Sequence, residues 1–330
     1  MQRKNNMVYV KELELREFRG IKEVQKPINF KKFNVLIGRN NSCKTTVLQA
    51  LSILPHPRSR QPSEVDFGGS EKINLVRKLL GGNRSLIYKY SGKASLTYEV
   101  LELRYVVEFS EDGQIITRIN DTVSLSGILS KFKMNENEAK DWVLFIPNDS
   151  AFVSIVERKL FHEWWPRVVK SRSHVKIARE IINPTIDEFF TEIIKEEAEL
   201  KVRKEVEGEP YYIAVGDLGS GVYKALCMSL FISVTNPKII IWDDFEAAAH
   251  PSLLRKLLEW LSQNDWQVFL ATHSIDVLNE LVEIKPKDAQ IIQMKKTAED
   301  VLTHKTLTIE ELSDVLNSGI DPRLLVDKIE

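Results

Sequence analysis

Residues 34–54 read NVLIGRNNSCKTTVLQALSIL and contain the pattern most informative about the fold. A short apolar run, 34–37, ends at Gly38, as a buried strand does when it leads into a tight turn. Apolar residues then recur at helical spacing: Val47, Leu48, Leu51 and Leu54. The pattern therefore predicts a strand, a loop and a helix in direct succession.

The loop between strand and helix, 38–45, reads GRNNSCKT and is close to the pattern G-x-x-x-x-G-K-[ST]. A phosphate needs backbone N–H groups around it, a lysine that reaches its oxygens and a hydroxyl that binds Mg²⁺. Lys44 and Thr45 fit the last two roles, but Cys43 stands where the second glycine belongs. An ordinary strand-to-helix turn is the alternative. The candidate nucleotide-binding residues are Gly38, Arg39, Asn40, Asn41, Ser42, Cys43, Lys44, Thr45 and Thr46.

A second apolar run ends in carboxylates, because residues 238–246 read KIIIWDDFE. Acids at the carboxyl end of a buried strand lie where α/β proteins bind ligands. We expect Asp243 to hold Mg²⁺ opposite Thr45. Asp244 or Glu246 is then the catalytic candidate that polarises the attacking water. A solvated turn after a strand is the alternative interpretation.

Two weaker features follow the same order along the chain. Gly219, Ser220 and Gly221 precede an apolar helix and offer a second anion site, although an ordinary glycine-rich turn explains them equally well. His273 follows the apolar run 266–271, where its ring can donate to a γ-phosphate oxygen, although a structural histidine is the commoner case. The order of the four segments favours a nucleotide site.

The remaining pattern predicts an α/β protein with a mixed sheet. Further strands are expected near the sheet edge at 8–16, as a hairpin within 95–120, and at 142–147 and 289–294. The region 151–205 is expected to be a helical lobe or a short hairpin of helices. The reason is helical spacing after Asn183-Pro184, at Ile186, Phe189, Phe190, Ile193 and Ile194.

Composition excludes several classes of protein. Lys and Arg number 46 against 47 Asp and Glu, so the chain has no general affinity for polyanions. No apolar run approaches the length of a membrane span, and no secretory signal is present. The two cysteines, Cys43 and Cys227, are too few for a disulfide framework or a four-cysteine zinc site. We therefore expect a cytoplasmic protein.

Several runs resemble the ABC-type ATPases of the SMC/RecF/OLD group, in the branch of small stand-alone AAA-like proteins. They are LELREFRGIKE (13–23), FNVLIGRNNSCKTTVLQAL (33–51), LGSGVYKAL (218–226), IIIWDDFEAAAHP (239–251) and FLATHS (269–274). The resemblance implies a P-loop NTPase fold with a helical lobe. It also implies three parts: 1–150 with the P-loop and an antiparallel β part, 151–210 as the helical lobe, and 211–330 with the signature helix, the Walker B strand, the switch histidine and C-terminal helices.

The resemblance also assigns roles. Lys44 and Thr45 bind phosphate and Mg²⁺, Asp243 is the Walker B acid and His273 is the switch histidine. Gly219, Ser220 and Gly221 fall in the signature motif, which in this family contacts the nucleotide of a second subunit, and Ala247–Ala249 fall in the D-loop. The resemblance therefore implies a homodimer with ATP between the two copies.

Four departures from the family pattern affect catalysis. Cys43 and Asn41 occupy positions where glycine is usual, and Asp244 stands where a glutamate is usual, with about 1.5 Å less reach. The glutamine of the family's Q-loop has no clear counterpart, since Gln61 lies in a Pro/Ser/Arg-rich stretch. A cysteine beside Lys44 at a helix N-terminus also favours the thiolate. We therefore expect ATP binding with slow hydrolysis.

The sequence also bears on an effector chain and on nucleic acid as partners. Too few residues follow His273 for a nuclease domain, so a nuclease or other effector is expected to be a separate chain. Seven basic residues between 157 and 179 suit a DNA or RNA backbone. The alternative, which we favour, is two solvated helices of complementary charge, the acidic one at 187–199. The predicted function is an ATPase head in DNA maintenance or defence against foreign DNA, and the alternative is a non-hydrolysing sensor that docks a partner protein.

Overall fold

The computed structural model describes residues 7–197, 199–247 and 249–325. Most strands in this part of the chain join one large mixed sheet, and β9 to β11 form a separate three-stranded sheet. The strands are β1 (Val10–Phe18), β2 (Ile21–Val24), β3 (Ile28–Asn29), β4 (Phe33–Ile37), β5 (Lys93–Val100), β6 (Leu103–Ser110), β7 (Ile115–Arg118), β8 (Val143–Ile146), β9 (Glu192–Glu196), β10 (Glu199–Val206), β11 (Glu209–Ala214), β12 (Ile239–Trp242), β13 (Gln267–Ala271), β14 (Ala289–Lys296) and β15 (Val301–Leu307).

Helices pack around this sheet, and π-helical turns at Leu160–Trp164 and Ala178–Ile182 join α5 to α6 and α7 to α8. The helices are α1 (Lys44–Ser52), α2 (Lys72–Leu80), α3 (Leu125–Lys131), α4 (Glu136–Trp142), α5 (Ser150–Lys159), α6 (Trp165–Lys170), α7 (Ser173–Ile177), α8 (Asn183–Ile186), α9 (Ser220–Thr235), α10 (Pro251–Gln263), α11 (Ile275–Ile284) and α12 (Ile309–Asn317). Within the described ranges, no helix has both the length and the apolar character needed to cross a membrane.

The large sheet has a parallel half and an antiparallel half. Its order is β7-β6-β5-β1-β2-β15-β14-β4-β13-β12-β8, with β3 paired to β1. The strands from β14 to β8 run parallel to one another, and every residue of β4, β8, β12 and β13 is buried. Strands covered on both faces read as continuous apolar runs, which is why these elements were predictable. Their carboxyl ends meet at one edge of the sheet.

A buried amide joins the N-terminal strand to the parallel half. The side chain of Gln267, at the start of β13, accepts hydrogen bonds from the backbone N–H groups of Tyr9 and Val10 at 3.0 and 2.9 Å. It also donates to the carbonyl oxygens of Val10 and Lys31 at 2.7 and 3.0 Å. Each polar atom of this buried amide is therefore satisfied, which removes the cost of placing it in the core.

The prediction that the first strand lies near the sheet edge is wrong. The strand β1 lies inside the large sheet, with β5 on one side and β2 and β3 on the other. Its apolar residues Val10, Leu13, Leu15 and Phe18 are buried, while charged residues between them remain partly exposed. Alternation of this kind reports which face is covered, but it does not report how many strands pair along the backbone.

The prediction of a helical region up to residue 205 is also wrong. The helix α8 ends at Ile186, where Asp187 takes a left-handed conformation, and the antiparallel strands β9, β10 and β11 follow it. Ile193 is buried within β9, whereas Phe189, placed on the same predicted helical face, is 73% exposed. Pairing of β9 with β10 satisfies the hydrogen-bonding groups of the backbone. Tertiary structure therefore overrides the helical spacing of the apolar residues.

The acidic residues at 187–199 consequently do not form a helix that pairs with the basic one. Glu188 pairs with Lys204, and Glu196 and Glu199 pair with Lys201 of β10. The basic side chains of the helical segment remain exposed, among them Arg158, Arg167, Lys170, Arg172, Lys176 and Arg179. A nucleic-acid contact through this face stays a prediction. Binding to a phosphate backbone should weaken as the salt concentration rises, so DNA binding that is insensitive to salt would contradict it.

A buried histidine ties the segment after α1 to β7. The Nδ1 atom of His56 accepts the N–H of Arg58 at 3.1 Å, and its Nε2 atom lies 3.0 Å from Oγ1 of Thr117. Since Nδ1 accepts, the proton of the neutral ring must lie on Nε2. Burial, together with the charge of Arg58, lowers the pKa of His56 to about 4.

We predict that His56 makes the fold sensitive to acid. Its pKa in the unfolded chain is near 6.5, above the folded value, so below pH 6.5 the unfolded state binds a proton that the folded state rejects. The free energy of unfolding should fall by about 3 kcal/mol as the pH drops from 6.5 to 4. Urea unfolding across this range should give a shallower pH dependence for His56→Asn, and equal slopes in the two proteins would contradict the assignment.

Candidate nucleotide-binding site

The loop between β4 and α1 has a backbone that suits phosphate binding. Gly38 has a φ of 151°, and a Cβ at this position would lie 2.4 Å from the carbonyl oxygen of Met294, so only glycine fits. Asn41 and Cys43 have φ values of 64° and 69°, in the left-handed region. These are the two positions where the sequence departs from glycine. The backbone therefore keeps a conformation that favours glycine at both.

The ammonium group of Lys44 is folded into its own loop. Nζ donates to the carbonyl oxygens of Gly38 and Arg39 at 3.0 and 3.2 Å, and lies 3.4 Å from Oγ of Ser42. The residue is only 6% exposed, and burial lowers its pKa although Asp243 opposes this shift. The ammonium group is therefore not solvated. To bind a phosphate, it would have to exchange loop carbonyls for phosphate oxygens.

The thiol of Cys43 is not activated. Cys43 is 9% exposed, and burial raises the pKa of its thiol despite the nearby cations Lys296 and Arg19. The prediction of a thiolate at the start of α1 is therefore wrong. Desolvation of the thiol outweighs the stabilisation that the helix terminus and the neighbouring positive charges give to a thiolate.

The acidic end of β12 meets the start of α1. The hydroxyl of Thr45, an exposed residue, lies close to the carboxylate of Asp243 and favours its charged form. Asp243 is 7% exposed, and burial raises its pKa to about 6. A hydroxyl and one carboxylate are oxygen ligands of the kind that Mg²⁺ takes beside substrate phosphates and water. In the described ranges, no cluster of three His, Cys, Asp or Glu side chains offers another metal site.

Asp244 is held by a residue that sequence reasoning missed. Asp244 has a φ of 47°, and its Oδ2 accepts a hydrogen bond from Nδ2 of Asn148 at 2.8 Å. Asn148 follows β8, which pairs in parallel with β12. A polar residue just after a predicted buried strand was the available signal. Gln61 lies elsewhere, 1% exposed, with its amide donating to carbonyls of its own loop.

Glu246 contacts the backbone of His273 and does not line the cavity at the loop between β4 and α1. Its Oε1 accepts the N–H of His273 at 2.6 Å. Burial lowers the pKa of the His273 ring, and the charge of Lys44 lowers it further, so the imidazole is neutral near pH 7. Asp244 and His273, in contrast, both face the loop.

The cavity at the loop has a volume of about 380 Å³ and combines most of the predicted residues. Arg19, another residue that sequence reasoning missed, also lines it. Its guanidinium donates to Oε1 of Gln49, and burial lowers its pKa while the charge of Asp243 opposes the shift. The lining is Arg19, Gly20, Asn40, Asn41, Ser42, Cys43, Lys44, Thr45, Thr46, Asp244 and His273.

The glycine-rich turn is not part of this cavity. Gly219 has a φ of 108° and begins α9, and neither Ser220 nor Gly221 lines the cavity at the P-loop. Gly219 and Ser220 are exposed, and the N–H of Gly219 donates to the carbonyl oxygen of Gly216 at 3.2 Å. In the predicted D-loop, Ala247 and Ala249 donate to the carbonyl oxygens of Asp244 and Glu246, and Ala248 lies outside the described residues.

Solved structures with a similar fold are SMC head domains. The Smc head with an extended coiled coil from Pyrococcus furiosus, bound to the C-terminal domain of ScpA, has a TM-score of 0.57 at 14% identity and covers 95% of this chain and 100% of its own. An SmcHead bound to the C-winged helix domain of ScpA gives 0.61 at 15% identity, with 93% and 100% covered. The SMC head from Thermotoga maritima gives 0.53 at 14%, with 91% and 99% covered.

Sequence comparison points the same way. An uncharacterized protein of Methanocaldococcus jannaschii is 30% identical over 115 residues, which is 32% of this chain and 99% of that protein. A second family, described as an AAA domain, putative AbiEii toxin, Type IV TA system, matches residues 166–279. The family described as AAA ATPase domain matches residues 8–213, which is more than half of the chain. The chain therefore belongs to the AAA ATPase domain family and has the ABC-type fold of an SMC head.

Proposed function

We propose that this protein binds ATP with Mg²⁺ at the cavity beside Lys44 and hydrolyses it slowly. The observation that carries this proposal is the contact between Thr45 and Asp243 beside the lysine of a phosphate-binding loop. Lys44 and the N–H groups at the start of α1 would bind the phosphates. Thr45 and Asp243 would hold Mg²⁺, which supplies positive charge to the phosphate oxygens when bound.

Asp244 is the proposed catalytic base. Its side chain lines the cavity, and Asn148 occupies Oδ2, which leaves Oδ1 for the attacking water. Glu246 is committed to the N–H of His273 at 2.6 Å, so it is a weaker candidate. The neutral ring of His273 can donate one hydrogen bond to a γ-phosphate oxygen, where charge accumulates during transfer.

The proposed dimer rests on the exposed turn at Gly219. Free N–H groups at the start of α9, a helix of 16 residues, suit an anion, yet the turn does not line the cavity of its own chain. A second copy, related by symmetry, can present its turn to the nucleotide of the first. ATP would then lie between two copies, as the resemblance to SMC-type heads implies, and DNA maintenance or defence with a separate effector chain is the proposed setting.

We predict that Asp244→Asn lowers kcat about 100-fold while the Kd for ATP changes little, because a base contributes to the transition state only. Phosphate release at saturating ATP and Mg²⁺ measures kcat, and calorimetry measures the Kd for ATP. Lys44→Met is the control without nucleotide binding. A wild type no faster than this control would favour the non-hydrolysing sensor that docks a partner.

The choice between carboxylates has its own control. Glu246→Gln retains an oxygen that can accept the N–H of His273, so its kcat should fall less than that of Asp244→Asn. A larger loss in Glu246→Gln would identify Glu246 as the base.

We predict an ATP-dependent dimer that Ser220→Arg prevents, because a bulky cation at the start of α9 would block close approach of the second copy. Light scattering after size-exclusion chromatography, in the Asp244→Asn background with ATP and Mg²⁺, measures the mass. Ser126→Arg, at an exposed serine in the first turn of α3, should leave the dimer intact. A monomer under all nucleotide conditions would exclude the sandwich.

We predict that Cys43→Gly raises kcat more than it raises ATP affinity. A left-handed non-glycine residue costs about 1–2 kcal/mol, and removal of its side chain lets the N–H groups settle on phosphate oxygens. The same substitution should stabilise the free protein by about 1 kcal/mol. Asn41→Gly is the matched control with a smaller gain, since asparagine tolerates this conformation better. The measurement is steady-state ATP turnover of the wild type and the variants under reducing conditions. Equal kcat values for the wild type and Cys43→Gly would show that cysteine already permits the working geometry.

A further inference from the structure

The peptide group of His273 is held from two sides. Its N–H donates to Oε1 of Glu246 at 2.6 Å, and its carbonyl oxygen accepts a hydrogen bond from Nη1 of Arg323. Glu246 follows β12, and Arg323 lies in the turn formed by residues 321–325, so neither belongs to the loop that carries His273. The orientation of this histidine therefore depends on two segments distant in sequence.

The guanidinium of Arg323 is itself fixed in place. Its Nε and Nη2 atoms lie 2.9 and 2.6 Å from the two carboxylate oxygens of Asp321, and the backbone N–H of Arg323 donates to the same carboxylate at 2.9 Å. A two-pronged contact of this kind restricts the planar group to one orientation. In that orientation the remaining Nη1 faces the carbonyl oxygen of His273.

The turn is anchored next to the phosphate-binding loop. Nε2 of Gln293, which is 1% exposed, donates to the carbonyl oxygen of Pro322 at 2.7 Å. Gln293 pairs across β14 and β4 with Ile37, the last residue before Gly38. The position of Arg323 is thus tied to the strand that leads into the loop.

Glu246 makes a matching contact on the other side. Its Oε1 accepts the N–H of His273, while its Oε2 is buried without a hydrogen-bond partner among the described residues. A buried carboxylate oxygen without a partner is costly. The side chain therefore holds the His273 peptide at an energetic cost that a surface carboxylate would not bear.

We propose that Arg323 and Glu246 are positioning residues for His273, and that the turn at 321–325 thereby controls turnover. This inference rests on the proposed ATPase function. Phosphoryl transfer is sensitive to displacements of about 1 Å, so a peptide held on one side only would misplace the ring. The Arg323–Asp321 ion pair is partly exposed, at 32% and 27%, and such pairs contribute little to stability. Loss of Arg323 should therefore affect rate more than folding.

The first test compares Arg323→Ala and Arg323→Lys with Arg118→Ala, whose arginine is exposed and paired with Glu108 at the far edge of the sheet. The expected result is a kcat lower by about 10-fold or more for Arg323→Ala, with unchanged ATP affinity and melting temperature. Arg323→Lys keeps the positive charge but cannot make the two-point contact with Asp321, so its kcat should be intermediate. Arg118→Ala should match the wild type. An unchanged kcat in Arg323→Ala would overturn the proposal.

A double-mutant cycle separates positioning from a general structural effect. If Arg323 acts through His273, Arg323→Ala should cause no further loss in a His273→Ala background. Losses that multiply would overturn the proposal.

A readout without nucleotide distinguishes failure of this inference from failure of the ATPase function. Hydrogen exchange of the His273 amide in the free protein should be about 10-fold faster in Arg323→Ala than in the wild type or Arg118→Ala, because the peptide is then held on one side only. A wild type without turnover would remove the ATPase function but leave this measurement decisive. Equal exchange in the three proteins would then overturn the positioning role.

Discussion

The candidate site depends on the register of the parallel strands. In the hydrogen-bonded pairing, Leu36 of β4 lies beside Ala271 of β13, and Trp242 of β12 lies beside both Leu270 and Ile146. The chain therefore leaves these strands at one level of the sheet. Directly after these strands come the phosphate-binding loop, the acidic pair Asp243 and Asp244, Asn148 and His273. Groups far apart in sequence therefore line or border one cavity. A shift of one residue in any strand would turn its polar end away.

The loop at Gly38 combines two unfavourable features. Asn41 and Cys43 adopt left-handed backbone conformations, and the ammonium of Lys44 is buried against loop carbonyls. Strained and desolvated groups of this kind cluster at functional sites because the surrounding structure imposes them. A bound phosphate would offer Lys44 a stronger, charged partner, and it would satisfy the N–H groups at the start of α1. The unfavourable local state is thus consistent with a site prepared for an anion.

The structure also separates the carboxylates that the sequence places side by side. Asp243 is buried against Thr45, Asp244 faces the cavity beside Asn148, and Glu246 turns back to the peptide of His273. Three acids within four residues therefore have three different environments. Their different surroundings, more than their types, suggest separate roles in metal binding, water activation and positioning.

The local elements at the centre of this protein can be predicted from short stretches of sequence, namely β4, the loop, α1, β12 and β13. Parallel strands covered on both faces are apolar throughout, and the loop residues follow a fixed spacing, so short stretches suffice to predict them. Long-range contacts place β1 inside the sheet, pair β9, β10 and β11 as strands, and bring Arg19, Asn148 and Arg323 to or beside the site. These outcomes depend on pairing between segments far apart in the chain, and hydrogen bonds between such segments leave no periodic trace in either one.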